Sequence, residues 1–325
     1  MNKENLPEFL IKMLEEQYGL EISKKIIEGY HAKRLTTFRV NTLKTDITSV
    51  ENKLIEAGIE YKRVEWYKGA FIVKDELKKQ IENMEIYEKG EIYLQSLSSM
   101  LPPIILEPKQ GEDILDMAAA PGGKTTQIAA ITENKANITA CEMNNIRLER
   151  LKYNIEKQGA KCVYVMNTDS RKIDDLFSFD RILLDAPCSG SGTLDFNDLS
   201  LKKTFTMKLI NKSIDSQLAL LKKAINILKP GKEMVYSTCS ILACENEEIV
   251  KKALAGTKVE IVPIELEGME TLPLLQTKIK GTICVMPNEF YEGFFIAKIK
   301  KKCWTVEKNK KQWKNIWNQF KIMIC

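Results

Sequence analysis

Two cysteines stand where apolar runs stop. In LLDAPCSGSG (residues 183–192) Cys188 follows a proline just as small residues begin, and in YSTCSI Cys239 ends a second such run. Open α/β sheets build their sites at strand ends, so thiols placed there are candidates for chemistry rather than packing. A nucleophilic thiol divides one hard step into two easier ones. The thiolate is the reactive form, and a free thiol of pKa ~8.5 is mostly protonated near neutrality, so an attacking cysteine needs a lowered pKa. Two sources are in reach of the sequence. SILACENEE reads as a helix N-terminus after Cys239, opened by serine with acids in its first turns, and Lys124 would serve if it lies near.

A second constellation precedes the cysteines. DILDMAAAPGGKTT (113–126) reads as a strand, an acidic residue, a turn of small residues and a helix start. Glycine and alanine there let backbone approach a ligand, and a helix N-terminus offers free amides. GGKTT looks like a P-loop, but Ala118 stands where that motif needs glycine and Pro121 removes an amide, which speaks against a phosphate cradle. Further carboxylates close the following strands: Glu142 in TACEMN, Asp169 in MNTD and Asp185 in LLDAP. A small-residue loop followed by such acids resembles the class I methyltransferases. In them the loop holds S-adenosylmethionine, the acid after strand two takes the ribose hydroxyls, and the acid after strand three meets the adenine amino group. The resemblance implies a cofactor site at Ala118, Ala119, Ala120, Pro121, Gly122, Gly123 and Lys124, with Glu142, Asp169 and Asp185.

The residues after strand four bear on the acceptor. Many methyltransferases place Pro-Pro-aromatic after Asp or Asn here and methylate nitrogen, whose lone pair needs no covalent help. This chain has Asp185-Ala186-Pro187-Cys188. A thiol becomes useful when the acceptor is a poor nucleophile such as carbon 5 of a pyrimidine. The thiolate adds to carbon 6, the resulting enamine takes the methyl group at carbon 5, a base removes the carbon 5 proton, and elimination frees the thiol. One cysteine suffices to add, and a second can assist elimination. Asp185 could bond the base edge. The chemistry does not rank the two thiols.

The elements that must position these residues follow from periodicity. Residues 1–30 read as helical, with Leu6, Phe9, Leu10, Met13 and Leu14 at three-to-four spacing. Residues 31–90 read as a small α+β unit, with TTFRVNTL and AFIVK as strands and SVENKLIEAGI as a helix closed by Gly58. From Glu91 to about residue 300, strand-like runs (113–118, 138–143, 162–167, 179–186, 233–238) alternate with helical patterns, the last stopping at Lys229-Pro230-Gly231. That alternation predicts an α/β fold with a mostly parallel, Rossmann-like sheet. GTICVMP and GFFIAKI follow and are expected to form an antiparallel edge.

The composition is that of a globular protein, 44% hydrophobic and 29% charged. No run approaches the ~18 apolar residues of a membrane span, and MNKENLPEFL lacks an apolar signal core, so a cytoplasmic location is expected. The eight cysteines are then expected as thiols. With one histidine and no Cys-x-x-Cys pair, no metal is expected. The net charge of +5 is concentrated: residues 298–325 carry nine lysines against one acid, together with Trp304, Trp313 and Trp317. Trp313, Ile316, Trp317, Phe320 and Ile324 follow helical spacing, so residues 301–325 read as a basic C-terminal helix whose lysines could meet phosphates.

Together these motifs resemble the Nop/Sun family of RNA 5-methylcytosine methyltransferases, whose bacterial members act on ribosomal RNA. FRVNTLK (38–44), YLQSLSSMLP (93–102), DMAAAPGGKTT, LLDAPCSGSGT, VYSTCSI and GFFIAKI carry the resemblance across most of the chain. It implies that Cys239 is the nucleophile and that Cys188 aids release. It also implies an RNA-recognition-like unit at residues 31–90 and an RNA substrate, with ribosomal RNA expected before transfer RNA; a monomer is expected. Arg39 and Asn41 are candidates to touch RNA or to join the two units. The chain departs from the family at Pro287-Asn288, where Pro-His is usual, and in the acidic TLDFND. A noncatalytic ribosome-assembly factor and a nitrogen methyltransferase are the rival readings; neither has a use for both thiols.

Overall fold

A computed structural model describes residues 5–303. The C-terminal helix expected within residues 301–325 lies almost wholly outside the described residues.

The chain starts with α1 (Glu8–His31), interrupted at Gly19, whose φ of 77° leaves the helical region. A small unit follows: β1 (Thr36–Val40), α2 (Ile47–Glu56), β2 (Lys62–Arg63), β3 (Ala70–Val73), α3 (Lys78–Glu82), α4 (Glu85–Glu88) and β4 (Ile92–Leu94). Its strands pair in the order β2-β3-β1-β4, all antiparallel. The Asp46 carboxylate accepts the Ser49 N–H and starts α2. Phe38, Val40, Val50, Leu54, Phe71 and Val73 make this unit's own core. The sheet's last strand lies beyond Gly90, because β4 pairs with β1 across Phe38–Val40.

The larger unit contains α5 (Leu97–Leu106), β5 (Asp113–Asp116), α6 (Gly123–Ile131), β6 (Asn137–Cys141), α7 (Asn145–Gln158), β7 (Val163–Met166), β8 (Phe179–Asp185), α8 (Leu201–Thr204), α9 (Met207–Ile227), β9 (Leu228–Thr238), α10 (Glu247–Leu254), β10 (Val259–Val262), β11 (Leu274–Leu275), β12 (Ile283–Val285) and β13 (Phe294–Lys301). Strands β5 to β9 are parallel in the order β9-β8-β5-β6-β7. Alternating residues of the central strands divide two cores. Ile182, Leu184, Met234, Tyr236, Phe295 and Ala297 face α1, α9 and α10, whereas Leu183, Val235, Phe294 and Ile296 face α5 and α6.

Two expectations need correction. Helix α9 ends at Ile227, before Lys229-Pro230-Gly231; those residues belong to β9, where a register irregularity opposite Phe179–Arg181 accommodates them. The last two strands are antiparallel, but β13 is not an edge. It pairs with β9 along Phe295–Lys300, so β12 and β10 share its other side. Strand order depends on partners far away in sequence, which periodicity does not report.

The junction of the two units explains FRVN. Arg39 is fully buried on β1 and donates to Gln95 Oε1 (2.8 Å), the Gly123 carbonyl (3.0 Å) and Thr126 Oγ1 (2.8 Å). Asn41, equally buried, donates to the carbonyls of Gly90 and Gln158, both at 2.8 Å. These side chains tie the small unit to the start of α6 and the end of α7, and are not available to RNA.

Candidate functional site

The chain runs from β5 outward through β6 and β7, then returns to place β8 on the other side of β5. That reversal opens a crevice at the carboxyl ends of β5 and β8. A pocket of about 300 Å³ lies there, walled by Ala118, Ala120, Glu142, Asp169, Asp185, Cys188 and Cys239 together with Met117, Arg147 and Arg171.

Strand β5 ends in Asp116, which is buried; one carboxylate oxygen accepts Thr125 Oγ1 at 2.7 Å, and the other has no well-formed hydrogen bond among the described residues. Burial pushes its pKa up to about 6, against the Thr125 hydrogen bond and Lys124. The loop then crosses β6, the Ala119 N–H donating to the Cys141 carbonyl at 2.9 Å. The small side chains of Ala118 and Ala120 leave room for a ligand. Pro121 is exposed, and Gly122 and Gly123 turn into the protein. A Cβ on Gly122 (φ 108°) would lie 3.1 Å from Leu151 of α7, and one on Gly123 would lie 3.0 Å from Tyr93 of β4. These glycines seat α6 against its neighbours, a role that motif reading assigned to ligand approach.

The strand-end carboxylates are oriented by their own neighbours. Glu142 accepts the Asn144 N–H at 2.8 Å and lies 3.3 Å from Arg147 Nη1. Asp169 receives Arg171 through Nε and Nη2, and those hydrogen bonds hold its pKa below the usual carboxylate range. The pocket thus joins small side chains, two carboxylates beyond β6 and β7, and an opening toward the thiols. That donor and acceptor set fits a nucleoside-bearing ligand with a ribose diol and an exocyclic amine.

At the other end, Cys188 Sγ lies 3.0 Å from Cys239 Sγ, and both residues are half-buried, so one ligand can reach both. The Cys188 thiol is pushed up by the hydrogen bond it shares with Cys239, by burial, and by the charges of Cys239 and Glu245. Asp185 accepts Ser237 Oγ and Lys124 Nζ, each at 2.7 Å, one on each carboxylate oxygen. Lys124 also donates to Ser99 Oγ at 2.7 Å. Burial opposes its charge, but Asp185, Asp116 and Cys239 outweigh that and raise its pKa. The lysine therefore does lie near the second thiol. The expected helix N-terminus does not serve it: α10 begins only at Glu247, beyond a turn that presents Glu245.

Sequence reading missed the braces of the two cysteine loops. From α1, the Tyr30 hydroxyl donates to the Ser191 carbonyl at 2.5 Å, and Gln17 Nε2 and the Tyr18 hydroxyl donate to the Ile241 carbonyl at 2.9 and 2.5 Å. The Gly192 N–H reaches the Cys239 carbonyl at 2.9 Å. No local signal could have shown this, since the α1 residues lie more than a hundred positions from their partners. The departures also have structural places. Asn288 Oδ1 accepts the N–H groups of Phe290 and Tyr291 and closes a turn, while Asp195 and Asp198 accept from Asn197 and Ser200 within their own loop.

No helix among the described residues is long and apolar enough to cross a membrane, and no acidic, cysteine or histidine cluster among them could hold a metal ion. Two family models match: "16S rRNA methyltransferase RsmB/F" over residues 103–300 and "Methyltr_RsmF/B-like, ferredoxin-like domain" over residues 6–79. The chain is 30% identical to a probable ribosomal RNA small subunit methyltransferase B of Bacillus subtilis, over 91% of this chain and 66% of that protein. It is 33% identical to a tRNA (cytosine(49)-C(5))-methyltransferase of Pyrococcus abyssi, over 92% of this chain and 98% of the relative. A crystal structure of a methyltransferase homologue from Pyrococcus horikoshii matches with a TM-score of 0.77 and 34% identity, over 91% of this chain and all of that one. Other relatives are longer, the chain spanning 38% of one and 57% of another. With the class I crevice, the appended small unit and the match over most of its length, the chain belongs to the RsmB/F family of methyltransferases.

Proposed function

We propose that this protein transfers a methyl group from S-adenosylmethionine to carbon 5 of a cytosine in RNA, through a covalent bond between Cys239 and the base. One observation carries the reading: two half-buried thiols 3.0 Å apart, beside a lysine-paired aspartate, open onto a pocket lined by strand-end carboxylates. S-adenosylmethionine supplies an electrophilic methyl group. Ala118 and Ala120 would give it room, Glu142 would meet the ribose hydroxyls and Asp169 the adenine amino group.

The chain's own groups do the rest. Asp185, held by Lys124 and Ser237, presents a carboxylate that can bond the cytosine edge. Cys239 adds to carbon 6, moving electron density to carbon 5. After methylation a base takes the carbon 5 proton, the carbon 6–sulfur bond breaks with its electron pair on Cys239 and the aromatic ring is restored; Cys188, in contact with the leaving sulfur, assists that release. Ribosomal RNA is the preferred substrate class, supported by the family description and the Bacillus relative. The Pyrococcus abyssi relative, matched over 98% of its length, favours transfer RNA as the second reading.

Mapping 5-methylcytosine across total RNA with and without the gene tests the reading directly, and maps without a lost position would refute it. On the RNA so identified, Cys188→Ser is expected to accumulate a covalent protein–RNA complex and Cys239→Ser to abolish it, as seen on denaturing gels. An unchanged methylation rate in Cys239→Ser would point to nitrogen chemistry instead.

A further inference from the structure

Glu245 is fully buried just before α10, and no salt bridge to it is found among the described residues. Its Oε1 accepts the Ser189 N–H at 2.7 Å, and its Oε2 accepts Ser189 Oγ at 2.5 Å and Ser240 Oγ at 2.6 Å. Ser189 directly follows Cys188, and Ser240 directly follows Cys239. One carboxylate therefore joins the residues behind both thiols. Ser191 Oγ, 2.7 Å from Ser240 Oγ, extends the same link, and the Tyr236 hydroxyl anchors the Glu245 carbonyl at 2.8 Å.

We propose that Glu245 is a positioning residue with two effects: it sets the spacing of the two thiols, and its negative charge keeps the proton of the pair on Cys188. The second effect follows from what a neutral link would do. Glutamine has the same reach and can bridge two hydroxyls, so the charge is not needed for the bridge, and burying it without a cation is costly. Its consequence is a field across the pair. Cys239, Glu245 and Tyr236 act on Cys188, with Asp185 on the same pocket wall, whereas the cation Lys124 acts on Asp185 and Cys239. An anion behind Cys188, with the cation on the far side of the pair, favours the arrangement in which Cys188 keeps its proton. This ranking deepens the covalent reading proposed above and rests on it for its purpose, but the field can be measured without any methylation.

The test uses the full-length reduced protein and iodoacetamide, with alkylation of Cys188 and Cys239 read separately by peptide mass spectrometry between about pH 6 and pH 10. Glu245→Gln is expected to lower the midpoint for Cys188 by about one unit and to raise its alkylation rate near pH 8 by up to about tenfold, with Cys239 moving much less. An unmoved Cys188 midpoint, or equal shifts at both sulfurs, would overturn the electrostatic role. Glu245→Ala is expected to slow diamide-driven Cys188–Cys239 cross-linking by about tenfold, because the loops lose their common acceptor; an unchanged rate in a folded variant would overturn the spacing role. If the alanine variant does not fold, Ser189→Ala, which removes one arm of the same bridge, takes its place in the cross-linking test and the glutamine variant decides the electrostatic role. The expected alkylation pattern in a protein that methylates no RNA would refute the functional reading and leave this one standing.

Discussion

Lys124 connects the residues of the site to one another. Its ammonium meets Asp185 at 2.7 Å and Ser99 at 2.7 Å, inside a half-buried setting where a charge–carboxylate contact is worth more than at the surface. Removing it would leave Asp185 with Ser237 as its side-chain partner among the described residues and would take a cation away from Cys239. Lys124→Met is therefore expected to slow formation of the Cys239–RNA complex by about 100-fold while changing cofactor affinity far less, a split measurable by quenched-flow trapping beside calorimetry. Equal losses in both would mean that the lysine holds the cofactor instead. The thiols and acids were legible in the sequence because each sits at the end of an apolar run, a position with local signature. Glu245 was not, since its acid lies within a helix-like string and its partners Ser189 and Ser240 belong to separate loops. Lys124 stands out in the sequence as a helper to the thiol, but its pairing with Asp185 joins residues that are neighbours only once β5 and β8 lie side by side.

The elements hold that geometry through close backbone approaches. Gly90 adopts φ 69° where the small unit meets α7, and a Cβ there would lie 2.2 Å from the Lys157 carbonyl. Gly58 has nearly the same φ, 67°, at the end of α2, but nothing among the described residues lies within 4 Å of its Cβ position. The pair separates backbone strain from collision. Gly58→Ala is expected to cost about 1 kcal/mol, the penalty of a left-handed residue, and Gly90→Ala about 3 kcal/mol or more, as the junction must open. Urea unfolding of the full chain measures both, and equal costs would show that the junction yields freely. Strand and helix types were readable from periodicity, as in AFIVK for β3 and SVENKLIEAGI for α2. The short strands β2 and β4 were not, because two or three residues carry no period, and the interior place of β13 depends on β9, a strand more than fifty residues earlier.

Across the whole molecule, the two ends of the parallel sheet respond to pH in opposite directions. At the foot, Asp180 meets Lys229 at 2.8 Å and Lys232 at 3.2 Å, while Arg181 joins Glu112 and Glu233. Burial would raise the Asp180 pKa, but its hydrogen bonds to Lys229, the Asp113 N–H and Lys232 bring it to about 2. Its contribution is present above the unfolded value of ~3.9 and disappears as pH falls through about 2. At the head, Asp116 is raised to about 6, so the native state binds a proton that the unfolded chain releases between those values. That contribution is complete below ~3.9 and is lost as pH rises through about 6, which makes the charged, partly unpartnered Asp116 a cost at neutrality. Asp116→Asn keeps an acceptor for Thr125 and removes the charge. It is expected to stabilise the protein by up to about 3 kcal/mol near pH 7.5, with the gain shrinking toward zero near pH 4. Paired urea titrations at the two pH values measure the difference, in which the titration of Asp180 and the other carboxylates cancels. A gain that stayed constant with pH would mean that Asp116 does not titrate in this range, and a loss at pH 7.5 would mean that its charge is satisfied within the fold.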